Sequence, residues 1–305
     1  MAQSKPSVKW GVGVELAPDH LGPVRFAATL TQTSPSDVKL ALHVIPDQES
    51  LHPLVTHQDA DAIRKRVIKD VAEIMIQEGL SGQSVGVELI EDDEVARGLI
   101  KSVRRLGLDG LIVGRRAKRD EDPLVRLGEV TRRILRRLPA PVIVVPPDYG
   151  DRADHGLGDG PVILGADLSS QGVAAAKFAQ DLAIRLDRKL LLAHGTQAFN
   201  WGVSYIPAAT ITRIQDQARE SANNKLAAWA KSNGITDAEQ LVFMGDPAKH
   251  LLQLAYEKDA AVLVTGSRML GPVERLFLAS VSSEIAAAAS CPVAVVPGGE
   301  PRSAG

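Results

Sequence analysis

The sequence predicts two tandem α/β domains, each a doubly wound parallel sheet of five strands with helices on both faces. Short aliphatic runs alternate with amphipathic helical segments, which is the pattern of βαβ units. Aromatic residues make up only 4% of the 305 residues, so the cores must be built from Val, Leu, Ile and Ala, as in buried parallel strands. The third observation is an internal repeat, because residues 109–146 and 260–297 share one pattern.

The repeat extends over the whole chain with a nearly constant offset. Four pairs of landmarks lie 151 or 152 positions apart: Glu15 and Asp167, His43 and His194, Gly114 and Gly266, Pro141 and Pro292. Such regularity is hard to obtain by chance. Each half should therefore form the same βαβαβαβαβ unit, with right-handed crossovers and with ligand-binding loops at the carboxyl ends of the strands.

Hydrophobic spacing and Pro or Gly residues delimit the elements of the first half. Ile63, Val67 and Val71 recur every four residues, which indicates an amphipathic helix. Pro35 and Pro46 bound a strand. The predicted strands are 8–16, 38–45, 85–90, 111–113 and 142–145, and the predicted helices are 21–31, 59–78, 92–106 and approximately 124–138.

A stretch rich in Gly and Asp, residues 148–160, has no periodicity and is the predicted linker between domains 1–147 and 161–305. The pattern then restarts. The predicted strands of the second half are 162–167, 189–194, 240–244, 261–265 and 292–296, and the predicted helices are 172–186, 208–232, 247–257 and a segment within 280–289.

Composition narrows the classes of protein that the chain can represent. A formal net charge of −2 gives no general attraction to nucleic acid. The single cysteine, Cys291, excludes an internal disulfide framework and fits a reducing compartment. We find neither a signal-peptide pattern nor an apolar run near the ~18 residues that span a bilayer. We therefore expect a cytoplasmic protein with neither a membrane nor a nucleic-acid partner.

Four segments in order give the chain a resemblance to a known family. They are GDPA at 245–248, VTGSR at 264–268, ASVS at 279–282 and CPVAVVP at 291–297. Together with the repeat they resemble the universal stress proteins, in a tandem two-domain form. The resemblance implies a Rossmann-like fold of the adenine-nucleotide α-hydrolase type and a non-enzymatic role in stress survival. It also implies ATP or another adenine nucleotide as ligand, with no metal beyond a nucleotide-bound Mg²⁺.

Family members that bind ATP share a glycine-rich pattern that this chain keeps in part. At its spacing stand Gly266, Met269, Ala279 and Ser280, so two of three glycines are replaced. The family's first-strand Asp, which faces ribose and adenine, matches Asp167. The resemblance thus implies these cofactor-binding residues: Gly165, Asp167, Gly266, Arg268, Met269, Ser280, Val281 and Ser282. The first half has Glu15 and Gly114-Arg115-Arg116 instead, and no phosphate cradle is expected there.

Each of these residues also has a purely structural interpretation. Gly266 could only permit a turn, Ser280 could only cap a helix, and Asp167 could be a loop residue. Three hypotheses follow: an adenine-nucleotide-dependent protein, a nucleotide-free interaction module, and a slow ATPase. The expected partners are the two domains themselves, as an internal pseudo-dimer through strands 142–145 and 293–296, with a possible homodimer and an unknown protein partner.

Other chemically active side chains favour structural roles. The basic cluster at 115–119, continued by arginines at 132–137, could bind an anion but is more typical of a solvated or ion-paired surface. His43 and His194 lack metal-ligand spacing and should line the cleft at strand ends. Cys291 should be a buried small residue. Asp92 and Asp93 are acids of a helix start rather than a catalytic pair.

Overall fold

The structure, a computed structural model, describes residues 7–17, 20–47, 56–80, 85–116, 127–151, 158–196, 208–267 and 281–298. These residues form two compact units. The first contains the described residues up to 151 together with Ala286–Ala288 and Pro292–Val295. The second contains the remaining described residues from 158 onward. No helix in the described ranges has both the length and the apolarity that crossing a bilayer requires.

The first repeat is a parallel five-stranded sheet with strand order β3-β2-β1-β4-β5. Its strands are β1 (Lys9–Gly13), β2 (Val38–Ile45), β3 (Val85–Glu91), β4 (Gly110–Gly114) and β5 (Val142–Val145). Its helices are α1 (Gly22–Thr33), α2 (His57–Gln77), α3 (Val95–Arg105) and α4 (Glu129–Arg137). The four residues of β5 are all buried, as expected for a strand covered on both faces.

The second repeat has the same strand order, β8-β7-β6-β9-β10. Its strands are β6 (Val162–Gly165), β7 (Leu190–Thr196), β8 (Ala238–Met244), β9 (Val262–Ser267) and β10 (Val293–Pro297). Its helices are α5 (Gly172–Leu186), α6 (Ala208–Ser232), α7 (Pro247–Glu257) and α8 (Val281–Ala288). The predicted fold class, two tandem doubly wound α/β repeats, is confirmed.

Helix starts in both repeats depend on short polar side chains. Thr56 and Asp59 form a reciprocal capping box at the start of α2, where each side chain binds the other residue's backbone N–H. Asp246 caps α7 by accepting from the N–H groups of Ala248 and Lys249 at 2.9 and 3.3 Å. Gly79, with φ of +86°, follows the end of α2 in a conformation that glycine adopts at little cost.

Strand β10 pairs antiparallel with β5 inside the first compact unit. The register places Val293 opposite Val144, Ala294 opposite Ile143 and Val295 opposite Val142. The predicted pairing between these two strands is therefore confirmed. Each otherwise open strand edge gains a hydrogen-bonding partner, which removes an aggregation-prone edge.

The described ends of the predicted linker are held by side chains of the repeat next to each. Arg25 of α1 donates to the carbonyl of Tyr149 at 3.3 Å and pairs with Asp151. At the other end, the N–H of Asp159 donates to the Asp259 carboxylate at 3.1 Å. Residues 152–157 lie outside the described part of the chain. Contacts thus anchor both described flanks of this six-residue stretch.

Candidate functional site

The strand order places a topological switch point in the second repeat at β6. This strand pairs with β7 on one side and with β9 on the other, and Gly165 lies opposite both Ala193 and Thr265. Asp167 lies two residues after Gly165, and Gly266 lies one residue after Thr265. The carboxyl ends of β6 and β9 therefore bring the two together, and this crevice is where doubly wound sheets bind ligands.

Asp167 is exposed and organises the loop that leads into α5. Its Oδ1 accepts hydrogen bonds from the backbone N–H and the hydroxyl of Ser169, at 3.0 and 2.8 Å. The Ser169 hydroxyl oxygen in turn accepts from the N–H of Gly172 at 3.0 Å. A Cβ at Gly172 would lie 2.5 Å from the Asp167 carboxylate, so glycine is needed for this arrangement. One carboxylate oxygen thus has a loop-stabilising role.

His194 anchors the backbone immediately before Asp167. Its Nδ1 lies 2.7 Å from the carbonyl oxygen of Ala166. Because a carbonyl can only accept, Nδ1 must carry the hydrogen. His43 makes the same contact in the first repeat, 2.8 Å from the carbonyl of Val14, which precedes Glu15. These histidines lie two residues before the ends of β2 and β7, close to the predicted position at the strand ends, but the sequence analysis did not predict their backbone contact. The sequence signal that could have indicated this shared contact is the offset of 151 positions between the two histidines.

The carbonyl of Gly266 is held by a buried hydroxyl. Ser282, in the first turn of α8, donates from its hydroxyl to that carbonyl at 3.0 Å and lies 3.4 Å from the hydroxyl of Thr265. The first repeat has the same contact, because Thr131 of α4 donates to the carbonyl of Gly114 at 2.7 Å. The hydroxyl of Ser282 is thus used inside the protein, where it fixes the position of the strand end relative to the helix.

The two glycines assigned to the site differ in their surroundings. A Cβ at Gly165 would lie 2.8 Å from Leu251 Cδ1, so packing against α7 explains this glycine. A Cβ at Gly266 would have Ala175 Cβ as its nearest neighbour among the described atoms, at an ordinary 3.6 Å. Gly266 is also not among the described glycines with positive φ. Neither packing nor backbone conformation within the described residues requires a glycine at position 266.

Part of the predicted site lies outside the described residues. Arg268, Met269, Ala279 and Ser280 fall within the interval 268–280, which is the whole loop between β9 and α8. Val281 is the first residue of α8 and is 41% exposed. The described portion therefore comprises both strand ends and the start of the helix that follows the loop.

The residues at the corresponding strand ends of the first repeat make different contacts. Glu15, the counterpart of Asp167, is paired with His20, whose Nδ1 lies 2.8 Å from the carboxylate. Arg115 follows Gly114 and is predicted to belong to a solvated or ion-paired surface, and the solvated alternative is wrong for this residue. Its side chain is buried and donates to the carbonyl of Ala287, and only 3% of the residue is exposed. Arg116 is exposed, and residues 117–119 lie outside the described ranges.

Of the paired acids at 92 and 93, Asp92 belongs to a structural ion-pair network, and Asp93 accepts from the N–H of Asp47 at 3.3 Å. Asp92 accepts from Arg97 at 2.7 Å, from the N–H of Glu94 at 3.0 Å and from Lys101 at 3.1 Å. The hydrogen bond from Arg97 is the main cause that holds the pKa of Asp92 well below its usual range, against an opposing effect of burial. These contacts favour the helix-start interpretation of the two acids.

Metal-binding side chains do not cluster in the part of the chain that the structure describes. We find there no group of three or more His, Cys, Asp or Glu residues placed to hold an ion. Cys291 is buried, as predicted.

The chain was compared with protein families and with curated and solved proteins. The model of the universal stress protein family matches it twice, at residues 11–146 and 160–297. A universal stress protein of Mycolicibacterium smegmatis is 28% identical over 306 aligned residues, which cover 97% of this chain and 99% of that one. Alignment with a universal stress protein of Mycobacterium tuberculosis, at 29% identity, spans 55% of each chain, so it covers about half of that relative's length.

Solved structures show the same fold at low identity. A protein of unknown function from Pseudomonas aeruginosa has a TM-score of 0.66 and 15% identity, covering 95% of this chain and 92% of its own. A universal stress protein from Archaeoglobus fulgidus has a TM-score of 0.62 and 18% identity, covering 96% and 97%. Two shorter universal stress proteins, with TM-scores of 0.33 and 0.29, are described in complex with cAMP and with dAMP.

Proposed function

Because the chain belongs to the universal stress protein family, whose model matches both of its repeats, we propose that its second repeat binds an adenine nucleotide. ATP is the favoured ligand, with Mg²⁺ held by the nucleotide rather than by the protein. The binding site is the crevice between the ends of β6 and β9. The role is non-enzymatic, and nucleotide occupancy alters how the protein acts in the stress response.

The surroundings of Gly266 are the observation that carries this proposal. A glycine that neither φ nor packing against the described residues requires is expected where a ligand must approach the backbone closely. Phosphate oxygens need to come within about 3 Å of a backbone nitrogen, and a side chain at this position would intrude on that space. Ser282 supports the same function by holding the Gly266 carbonyl at 3.0 Å.

The remaining residues take roles that follow from their position. Asp167, at the exposed end of β6, accepts from the ribose hydroxyls, and Gly165 keeps β6 close to α7. Val281, at the start of α8, offers its N–H to the phosphates. We assign to the same phosphate-binding loop the following residues outside the described ranges: Arg268, Met269 and Ser280. Met269 and Ala279 replace glycines, so we expect weaker binding than a fully glycine-lined loop would give.

Isothermal titration of purified protein with ATP tests the proposal. Wild type should release heat at sub-millimolar ligand, and Asp167→Asn should weaken binding about tenfold, the scale of a lost hydrogen bond to a charged acceptor. Asn can still accept from Ser169, so the loop is retained. Glu15→Gln is the matched control in the first repeat and should leave affinity unchanged. If wild type releases no heat at millimolar ATP, the nucleotide-binding proposal is wrong. The favoured function is then that of a nucleotide-free interaction module.

The first repeat has a structural role in this proposal. Domains 1–147 and 161–305, joined by linker 148–160, act as an internal pseudo-dimer held in part by β5 and β10. A homodimer of the whole chain and an unidentified protein partner extend the same proposal, and the protein acts in the cytoplasm. A slow ATPase is excluded if phosphate release by wild type does not exceed that of buffer.

A further inference from the structure

Helices α3 and α4 of the first repeat present a strongly basic surface. The two helices pack against each other, and each ends in a basic last turn. We define the basic face by its eight exposed cationic residues: Arg97, Lys101, Arg104, Arg105, Arg132, Arg133, Arg136 and Arg137. On α3 the cations recur at spacings of three and four, on the side opposite the buried residues Leu99 and Val103.

Among the described residues, acidic side chains pair with four of the eight cations of the basic face. Arg97 and Lys101 pair with Asp92, Arg105 pairs with Glu88, and Arg133 pairs with both Glu94 and Glu129. These four paired cations still expose 46–67% of their side chains.

The other four cations have no acidic partner in the part of the chain that the structure describes. The side chains of Arg104, Arg132, Arg136 and Arg137 form no ion pair with any described residue. The face therefore carries an excess of positive charge on a chain whose formal net charge is −2.

The second repeat shows that the fold does not need these charges. The caps of the corresponding helices, Glu94 for α3 and Asp246 for α7, lie 152 positions apart. The strand-binding hydroxyls of α4 and α8, on Thr131 and Ser282, lie 151 apart. At those offsets the eight cations correspond to Lys249, Gln253, Tyr256, Glu257, Ser283, Glu284, Ala287 and Ala288. One cation in eight remains, although the corresponding helices form and the Thr131 and Ser282 hydroxyls make the same contact with a strand-end carbonyl.

The chemistry of the basic face specifies the kind of partner. Seven of its eight cations are arginines, whose planar guanidinium groups bind carboxylates in bidentate pairs. Helices α3 and α4 contain no aromatic residue, so no platform exists on them for stacking nucleic-acid bases. The sequence pI of about 6.4 also differs from the strongly basic character of domains that bind polyphosphates.

We propose that the basic face of α3 and α4 docks an acidic, Asp- or Glu-rich segment of a partner protein. From Arg97 to Arg105 the face extends about 12 Å along α3, which matches two turns of an acidic helix. The binding depends on exposed charges, so it is weak for a single segment and weakens as salt is added. This role is independent of nucleotide binding in the second repeat.

A labelled peptide of about eight glutamates, long enough to cover about 12 Å as a helix, tests the proposal by fluorescence anisotropy. The variant Arg104→Glu, Arg132→Glu, Arg136→Glu, Arg137→Glu changes only the cations without acidic partners. We expect wild type to bind the peptide, with affinity falling as ionic strength rises from about 0.05 to 0.15 M. The variant should lose at least about tenfold in affinity, the combined effect of four exposed pairs.

A matched variant separates a local site from the effect of net charge. Arg213→Glu, Arg219→Glu, Lys225→Glu, Lys231→Glu introduces the same charge change on exposed positions of α6 and should lose less than about threefold in affinity. Equal loss in both variants, or no binding by wild type at low salt, would overturn the proposal. Tighter binding of a duplex of about twenty base pairs than of the peptide would also overturn it, in favour of a nucleic-acid partner. Circular dichroism shows whether each variant is folded.

Discussion

The two repeats share the contacts that shape a strand-end crevice and differ in what occupies it. In both, a histidine holds the carbonyl before the first-strand acid, at 2.8 Å for His43 and 2.7 Å for His194. In both, a helix hydroxyl holds the carbonyl of the strand-end glycine. The first repeat then pairs its acid with His20 and buries Arg115 next to the glycine. In the second, Asp167 binds Ser169 instead and Ser267 stands at the position of Arg115, while both acids are exposed.

This comparison distinguishes contacts that stabilise the fold from residues that are candidates for ligand binding. Contacts present in both repeats are those that the fold needs, because a ligand is proposed for only one of them. Features confined to one repeat are the candidates for function: Asp167 and the surroundings of Gly266 in the second, and the basic face in the first. Each pair of equivalent positions therefore provides an internal control, in which one substitution should change binding and the other should change stability alone.

The largest stability effect is expected at the helix-start acids. Asp92→Asn removes the charge that Arg97 and Lys101 bind, and should cost about 2 kcal/mol, the scale of hydrogen bonds to a charged group. Asp246→Asn should cost less than about 0.5 kcal/mol, because Asn caps a helix as well as Asp does. Urea denaturation measures both changes in the free energy of unfolding.

The pH dependence of the Asp92 effect has a defined sign. The pKa of Asp92 is lowered in the folded protein, so its contribution is complete above the unfolded pKa, about 4. The contribution is lost as pH falls further through the folded pKa. The difference between wild type and Asp92→Asn should thus be constant above about pH 5 and shrink below about pH 4. A difference that stays constant down to pH 3 would contradict the ion-pair explanation.

The strand-end glycines should respond in opposite ways. Gly266→Ala should weaken ATP binding about tenfold, because a methyl group enters the space of a phosphate, while the free energy of unfolding changes by less than about 0.5 kcal/mol. At Gly114 an added Cβ would lie 3.3 Å from Pro23 Cγ, so Gly114→Ala should be destabilising without affecting ATP affinity. Calorimetric titration and urea denaturation of both variants test the contrast. A large loss of stability in Gly266→Ala would show that packing requires this glycine.

Most of the fold could be predicted from the sequence, because hydrophobic periodicity and the constant offset reinforce each other. Strands 38–45 and 142–145 and helices 172–186, 208–232 and 247–257 have the predicted bounds. Helix 92–106 begins at Val95 instead, because Asp92 binds the N–H of Glu94 and holds the chain outside the helix.

The site was less predictable, since its contacts are made by carbonyl and hydroxyl groups that leave no pattern in hydropathy. The burial of Arg115 depends on the carbonyl of Ala287, a contact between residues 172 positions apart in the chain. No local signal can indicate such a contact. By contrast, the constant offset in the sequence already indicated that His43 and His194 are equivalent. The structure adds the contact that both make, from Nδ1 to the carbonyl before the first-strand acid.

The helix hydroxyls should each contribute about 1 kcal/mol to stability, the usual net value of one buried hydrogen bond. Thr131→Val removes the hydroxyl donor of the Gly114 carbonyl. Ser282→Ala removes the shorter of two hydroxyl contacts to the Gly266 carbonyl, which also accepts from Thr265 at 3.3 Å. Both free energies of unfolding should fall, and that of Ser282→Ala should fall less. Only Ser282→Ala should also weaken ATP binding, since Gly266 loses its fixed position. Ser221→Ala, at an exposed position of α6, is the control. If only one of the two variants, Thr131→Val or Ser282→Ala, has a lower free energy of unfolding, the two hydroxyl contacts are not equivalent.

The smallest effect is expected from the histidines, because they act on the nucleotide only through the backbone. His194→Ala frees the carbonyl of Ala166 and should weaken ATP binding about threefold, a fraction of one hydrogen bond. His194→Asn restores an amide N–H near the position of Nδ1 and should recover most of that loss. His43→Ala, which frees the carbonyl before Glu15, should not change ATP affinity. Titration with 2′,3′-dideoxy-ATP locates the effect: if His194 positions Asp167 for the ribose hydroxyls, a ligand without them should bind wild type and His194→Ala equally. Equal weakening for both ligands would instead mean that His194 supports the whole crevice.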